Sequence, residues 1–183
     1  MLSVYLPPLG AMQLSLVVGS SVDDNYVGFT LPFPFYLQGV NYQSNYIGSN
    51  SYITFGFAST AYLSLSATNP GRGLLVQAAD NSYQRVYIGQ ETATSYRIRY
   101  EGTNSLSGTV GSPSMVVEYT FYANNNIMVN CGVMARSGGQ NGLSSGSGYL
   151  VSPPFAQSTN YILTSSNGGS TWSYYSAAFF DVA

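Results

Sequence analysis

Chemistry needs side chains that accept protons, attack carbon or hold metals, and this chain of 183 residues has few of them. Its acids are Asp23, Asp24, Asp80, Glu91, Glu101, Glu118 and Asp181; its only bases are five arginines, with no lysine and no histidine. That inventory excludes Ser–His and Cys–His nucleophiles, histidine metal sites, the phosphate-loop lysine and Schiff-base chemistry. The single Cys131 cannot form an internal disulfide, and its apolar strand setting makes it a core residue. Asp23-Asp24-Asn25 offers oxygens to a calcium ion, or an Asx turn before a strand at Tyr26. The turn is preferred, because calcium takes about six to eight oxygens and no complete loop is present. Glu101 and Glu118 are the one carboxylate pair expected on adjacent strands, beside Arg97 and Arg99. Glycoside hydrolysis would use such a pair, but cross-strand charge pairing on a wet sheet face is the preferred reading. No catalytic residue and no cofactor is assigned.

Aromatic residues carry the remaining functional signal. Seventeen tyrosines among abundant Ser, Asn and Gly give large rigid contacts with adaptable hydrogen bonding. Ser165-Ser-Asn-Gly-Gly-Ser-Thr-Trp172 has the form of an Asp-box turn with Asn167 in place of Asp. One copy cannot make a propeller, so the segment is read as a hairpin whose indole packs locally. Trp172, Tyr174 and Tyr175 near it could form a sugar-stacking platform or a subunit contact, with Asn167 at the turn.

Charged residues make up 7% of the chain and the isoelectric point is near 4.7. Five dispersed arginines cannot neutralise a phosphate backbone, so nucleic acid is not a partner. A monomer of this mass exposes roughly 8,600 Å², leaving about one charge per 700 Å². Soluble domains usually carry far more. Either much of the surface is covered by other subunits, or it is a Ser/Asn/Gly/Tyr surface of the exported β-protein kind; burial in an assembly is preferred. The apolar run Leu14–Val18 is too short to cross a membrane, the strands are too short for a membrane barrel, and the N-terminus lacks a signal-peptide pattern. The fourteen asparagines include no glycosylation sequon.

Those residues must be positioned by strands, because the hydrophobic pattern alternates with period two and turn residues recur at short intervals. In Tyr96–Glu101, Tyr96, Ile98 and Tyr100 face one side and Arg97, Arg99 and Glu101 the other. Met115–Phe121 alternates in the same way, and Ile127, Val129, Cys131 and Val133 are expected on the buried face of a third strand. Shorter strands are predicted at 26–29, 33–36, 45–47, 51–55, 74–77 and 85–88. Tyr161–Ser166 and Ser170–Tyr175 flank Asn167-Gly-Gly as a hairpin. Phe33 and Phe35 share one core face, with Pro32 and Pro34 keeping them out of a fully paired strand. Glu101–Pro113 and the low-complexity Ser137–Gly148 are read as mobile loops. This predicts an all-β fold, a two-sheet antiparallel sandwich of jelly-roll-like form. Residues 1–22 form an N-terminal arm reaching a neighbouring subunit, or an edge strand; 23–183 form the single sandwich domain.

Three stretches also carry a family likeness. Asp23-Asp-Asn-Tyr-Val-Gly-Phe-Thr-Leu-Pro-Phe-Pro-Phe-Tyr36 and Asn45-Tyr-Ile-Gly-Ser-Asn-Ser-Tyr-Ile-Thr-Phe-Gly56 resemble nidogen-like extracellular β-sandwich modules of bacterial and viral surface proteins. Tyr96–Gly102 and Val117–Ile127 look like the matching downstream strands, in a version met in tailed bacteriophages of marine cyanobacteria. The likeness covers roughly residues 23–135, with Ser51 where such modules usually carry Gly. It implies a jelly-roll-like sandwich on a particle or cell surface and no enzymatic activity. The expected function is a virion structural protein of a tailed phage, in capsid decoration or a tail fibre, located in the virion. Identical subunits and other virion proteins are its expected partners. The alternative is a carbohydrate-binding recognition module, extracellular or at a cell surface, that touches host glycan through exposed rings; a polysaccharide hydrolase is a third and lesser reading.

Overall fold

The computed structural model describes residues 3–6, 14–18, 22–103, 113–135 and 138–181. Among these every regular element is a strand. The N-terminal stretch gives β1 (Ser3–Leu6), β2 (Ser15–Val18) and β3 (Val22–Asp23). The next run comprises β4 (Tyr26–Thr30), β5 (Tyr36–Leu37), β6 (Val40–Asn41), β7 (Ser44–Gly48), β8 (Tyr52–Phe55) and β9 (Gly73–Ala78). Four longer strands follow: β10 (Ser82–Thr92), β11 (Ser95–Thr103), β12 (Met115–Tyr122) and β13 (Ile127–Met134). The chain closes with β14 (Gln140–Ser144), β15 (Tyr149–Val151), β16 (Thr159–Thr164) and β17 (Ser173–Asp181).

These strands build a β-sandwich. One sheet has the order β1-β17-β16-β13-β12-β11-β10-β2, with β3 also on β10; the other runs β15-β14-β9-β8-β7-β4. Neighbours in both are antiparallel except β1, which lies parallel to β17. The apolar half of each alternating strand turns inward. Val86, Ile98, Tyr100, Val117, Tyr119, Phe121, Val129 and Leu163 of the large sheet meet Phe29, Ile47, Ile53, Phe55, Leu74, Val76 and Leu143 of the other. Phe35 fills the centre, its ring 5.0 Å from that of Phe55 and 5.3 Å, edge-on, from that of Phe121.

Four local expectations need correction. Phe33–Tyr36 is no strand: pairing begins only at Tyr36, because Pro32 and Pro34 have no N–H to give a ladder, although Phe33 and Phe35 are buried as expected. Val133 is exposed and Met134 buried in its place. The β12–β13 register slips between Met115 and Val117, where Cys131–Met134 lies opposite; one extra residue on β13 reverses the alternation. Within Ser137–Gly148, residues 140–144 form β14, paired to β9 and β15. Gly142 makes this possible, since a side chain there would strike the Tyr149 ring, and Asn141 Oδ1 accepts the Gln77 N–H at 2.7 Å across the irregularity. Fourth, most of the outward face of β11 and β12 is buried, as the next section describes. Residues 104–112 of the other predicted loop lie outside the described residues. Ser51 adopts φ +63°, a left-handed angle that explains a glycine preference there, and its hydroxyl donates to the Val76 carbonyl at 2.6 Å.

Candidate functional site

The chemistry-bearing residues fall into four places. The first is the outward side of β10, β11 and β12, where antiparallel register sets Arg85 opposite Glu101 and Arg99 opposite Glu118. Arg99 bridges both acids, Nε to Glu101 Oε2 at 2.9 Å and Nη1 to Glu118 Oε1 at 2.6 Å. Arg85 Nε adds a 2.7 Å bond to Glu101, while Arg97 pairs with Glu118 at 3.1 Å and Glu91 at 3.4 Å. The expected charge pairing is present, but the expected wet face is not. Arg97 is 1% exposed, Glu101 5% and Glu118 6%. Three positive and three negative groups sum to zero, and the aliphatic stems of the arginines can cover their neighbours. Burial disfavours the charge on Arg99, yet its bonds to Glu101 and Glu118 outweigh that and hold its pKa above the ordinary range. The Glu101 bond likewise raises Arg85. One guanidinium, that of Arg99, thus engages both carboxylates.

The second place is an acidic corner. β3 pairs with β10, setting Asp23 opposite Ser82, and this brings Asp80 to Asp23 and Asp24; their carboxylate oxygens lie within 4.8 Å of one another. Asp80 was not foreseen, since 56 residues of chain separate it from Asp24 and only the β9–β10 turn carries it there. The Asx geometry is present too: Asp23 Oδ1 accepts the Asp24 N–H at 3.1 Å and Asn25 Oδ1 the Tyr26 N–H at 2.8 Å. Asp24 sits at φ +44°, and its Oδ1 accepts from buried Asn50 Nδ2 at 3.1 Å. Three carboxylates suit a hard cation in kind, but fall short of a calcium coordination number.

The third place is the β16–β17 hairpin. Asn167 Oδ1 accepts the Thr171 N–H at 3.0 Å, and its Nδ2 donates to Thr171 Oγ1 at 2.8 Å. Ser165 Oγ accepts the Gly169 N–H at 3.0 Å. The turn docks on β5–β6: Gln38 and Gly39 donate their N–H groups to the carbonyls of Gly169 and Gly168, each at 2.9 Å. Gly169 holds φ +77°, and any side chain there would strike the Tyr36 carbonyl. Trp172 turns inward; only 9% exposed, it packs on Phe35 and donates Nε1–H to the Gly169 carbonyl at 2.9 Å. Local indole packing is therefore what the structure has, and the indole is not available as a platform. Tyr174 and Tyr175 are exposed, at 41% and 47%. They are adjacent on one strand and so point to opposite faces.

The fourth is a cleft that sequence reasoning missed. It lies where β4 and β7 approach β10 and β11, with a volume of about 470 Å³, and is lined in part by Thr30, Ser44, Asn45, Tyr46, Ile88 and Tyr96. Asn45 is 1% exposed; its Nδ2 donates to the Tyr42 and Gln43 carbonyls, while its Oδ1 has no hydrogen-bond partner. Burial raises the Tyr96 hydroxyl above its usual pKa. No spacing rule marks this cleft, because its walls come from strands joined only by the fold. Cys131 is fully buried, and desolvation pushes its thiol well up, which makes it an inert core residue.

With this geometry in hand, comparison of the chain with protein-family models, curated proteins and solved structures gives no match in any of the three.

Proposed function

We propose that this chain is a non-enzymatic structural protein of a tailed-phage virion, a capsid decoration or tail-fibre component. It acts by association with identical subunits and other virion proteins. One observation carries the reading. Six of the twelve formal charges neutralise one another in the Arg85–Glu91–Arg97–Arg99–Glu101–Glu118 network. The six outside it average about one per 1,260 Å² of the 7,589 Å² surface, well below a free soluble domain. Exposed Leu16, Val40, Leu63, Val133, Tyr36 and Tyr62 add apolar area to that charge-poor surface. The family likeness of residues 23–135 supplies the particle. Light scattering of the purified chain at tens of micromolar should give a defined oligomer; a monomer would overturn the association. Quantitative gel staining of purified particles should give hundreds of copies for decoration or a dozen or two for a tail, and absence from particles would overturn the virion assignment.

Carbohydrate recognition is the second reading, and the cleft favours it. Its lining of Tyr46 and Tyr96 with Thr30 and Ser44 combines aromatic rings with hydroxyl groups, which suits a neutral sugar with its own hydroxyls and an apolar ring face. Calorimetric titration with neutral oligosaccharides should then show binding that Tyr46→Ala removes; silence across neutral hexoses and their oligomers would dismiss it.

A further inference from the structure

The smaller sheet ends at β4, which pairs with β7 on one side and with no described strand on the other. The direction of its peptide groups follows from its flanks. Ser49 donates its N–H to the Asn25 carbonyl at 2.8 Å, and Leu31 donates its N–H to the Gln43 carbonyl at 2.9 Å. Peptide groups alternate along a strand, so those of Val27 and Phe29 also face β7, and those of Tyr26, Gly28 and Thr30 face away from the sheet. The Tyr26 N–H is held by Asn25 Oδ1 at 2.8 Å. The Tyr26 carbonyl and both peptide groups of Gly28 and Thr30 are left to solvent, and all three residues are exposed. Sheet edges are normally protected by charge, proline, a bulge or brevity. The opposite edge of this sheet is brief, since β15 has three residues. β4 has five, Tyr-Val-Gly-Phe-Thr, with no charge, no proline and no slip in its register with β7.

The open groups are complementary to themselves. Two β4 strands that meet antiparallel about a two-fold axis at Gly28 set Gly28 opposite Gly28, and Tyr26 opposite Thr30 of the other copy. The glycines then exchange both N–H···O bonds, and each Thr30 N–H reaches the Tyr26 carbonyl of the other copy. Side chains stay in phase, because Val27 and Phe29 face the core in both copies. Gly28 lets a second backbone approach. The Tyr46 ring lies over it, 3.3 Å from where a side chain would begin, and stands edge-on to Tyr26 at 5.6 Å, so tyrosine covers the outer face of the joint. Charge agrees: Asn25 to Gly71 holds no charged residue, so a charged partner finds no counter-charge in this run, whereas two copies of the edge meet without repulsion.

From this geometry we infer that β4 is a docking edge for a second copy of the same chain, the two smaller sheets joining through their β4 strands into one continuous sheet about a two-fold axis at Gly28. The inference rests on the association reading above and specifies its contact. Five residues a side is well below the roughly 20–30 of a standard interface, so the strand contact alone is reversible and is read at tens of micromolar protein.

Cysteines report the register. In the double variant Tyr26→Cys and Thr30→Cys, each new thiol faces its opposite number across the joint, at a Cα separation of about 5.5 Å that a disulfide spans. Within one chain the two positions lie about 13 Å apart along the strand, too far to bond, and either single variant sets its like thiols about as far apart across the joint. Cys131 stays buried. Mild oxidation followed by a denaturing, non-reducing gel should give linked chains from the double variant and at least tenfold less from either single variant. Equal linking in all three, or none in the double variant, would overturn the inference. Light scattering of the parent separates the two claims: an oligomer whose double variant does not link sinks only this edge, whereas a monomer sinks the association as well. As a second arm, Thr30→Pro removes an outward N–H and leaves the β7 ladder its bonds. It should at least halve the mass of the assembly with Trp172 emission unchanged, while Thr30→Ala keeps the parent mass; an assembly of unchanged mass in folded Thr30→Pro counts against the edge.

Discussion

Glu118→Gln is the sharpest probe of the charge network. The glutamate side chain is 7% exposed and holds Arg99 at 2.6 Å and Arg97 at 3.1 Å, the latter only 1% exposed. Glutamine keeps the shape and one acceptor but leaves three arginines against Glu91 and Glu101, an uncompensated positive charge in a buried place. Removing one partner of a buried pair costs about 3–5 kcal/mol. Arg99 is 25% exposed and can regain some water, so the lower end applies, about 3 kcal/mol, or a melting temperature lower by about 6–12 °C for a chain of this size. Guanidinium unfolding can be followed by the single Trp172, which leaves its seat against Phe35 on unfolding. Arg97→Met alone leaves a net negative cluster, whereas the double variant is again neutral. The two losses should therefore fall short of additivity by about 2 kcal/mol. A Glu118→Gln cost below about 1 kcal/mol, or strict additivity, would mean that the network behaves as a hydrated surface array and would refute the reasoning.

Three further outcomes are expected. Burial pushes Tyr83 up to about 12 and also raises Tyr52, Tyr96 and Tyr161, so these phenols ionise more readily in the unfolded chain. Stability is thus intact below about pH 10 and declines as pH rises toward 12, by up to about 2.7 kcal/mol for Tyr83 alone. With no lysine in the chain, tyrosinate absorbance near 295 nm should rise together with loss of circular dichroism; ionisation of all tyrosines in the folded state would contradict this. Trp172→Ala should cost about 3–5 kcal/mol in denaturant titrations through the cavity left against Phe35, and Trp172→Phe clearly less. Equal stability of Trp172→Ala and the parent would contradict the burial. Asp23→Asn keeps an oxygen for the Asp24 N–H and removes one of three crowded charges, so scanning calorimetry at low salt should show a melting point about 1–2 °C higher, a gain that fades in half-molar salt.

How much of this could be read from the residues follows from what each signal encodes. β11 and β12 were plain because Tyr96–Glu101 and Met115–Phe121 alternate without interruption, and the pairing of their charges came with the alternation. The Asn167 turn was plain too, since its bonds stay within Ser165–Trp172. Period-two logic failed at β13, where one extra residue exchanges the roles of Val133 and Met134. It failed at β14 as well, where Gly142 supports a strand for the sake of Tyr149, a contact no local propensity contains. Burial of the charged face, the arrival of Asp80 beside Asp24 and the Asn45 cleft all depend on which strands become neighbours, and turn chemistry does not encode that over 50 or more residues.

The locking of arginines into the sheet also changes what a protease meets. Trypsin-like enzymes cut only after lysine or arginine, and this chain has no lysine. Arg97 and Arg99 lie mid-strand with ladder partners on both sides, and Arg85 lies mid-strand opposite Glu101 of β11. The guanidinium of Arg72 rests 4.5 Å over the Tyr42 ring and donates from Nε to the Phe55 carbonyl at 3.0 Å. Four of the five cleavable bonds are thus held by the native sheet, and digestion at them becomes a clock for global unfolding rather than for local fraying.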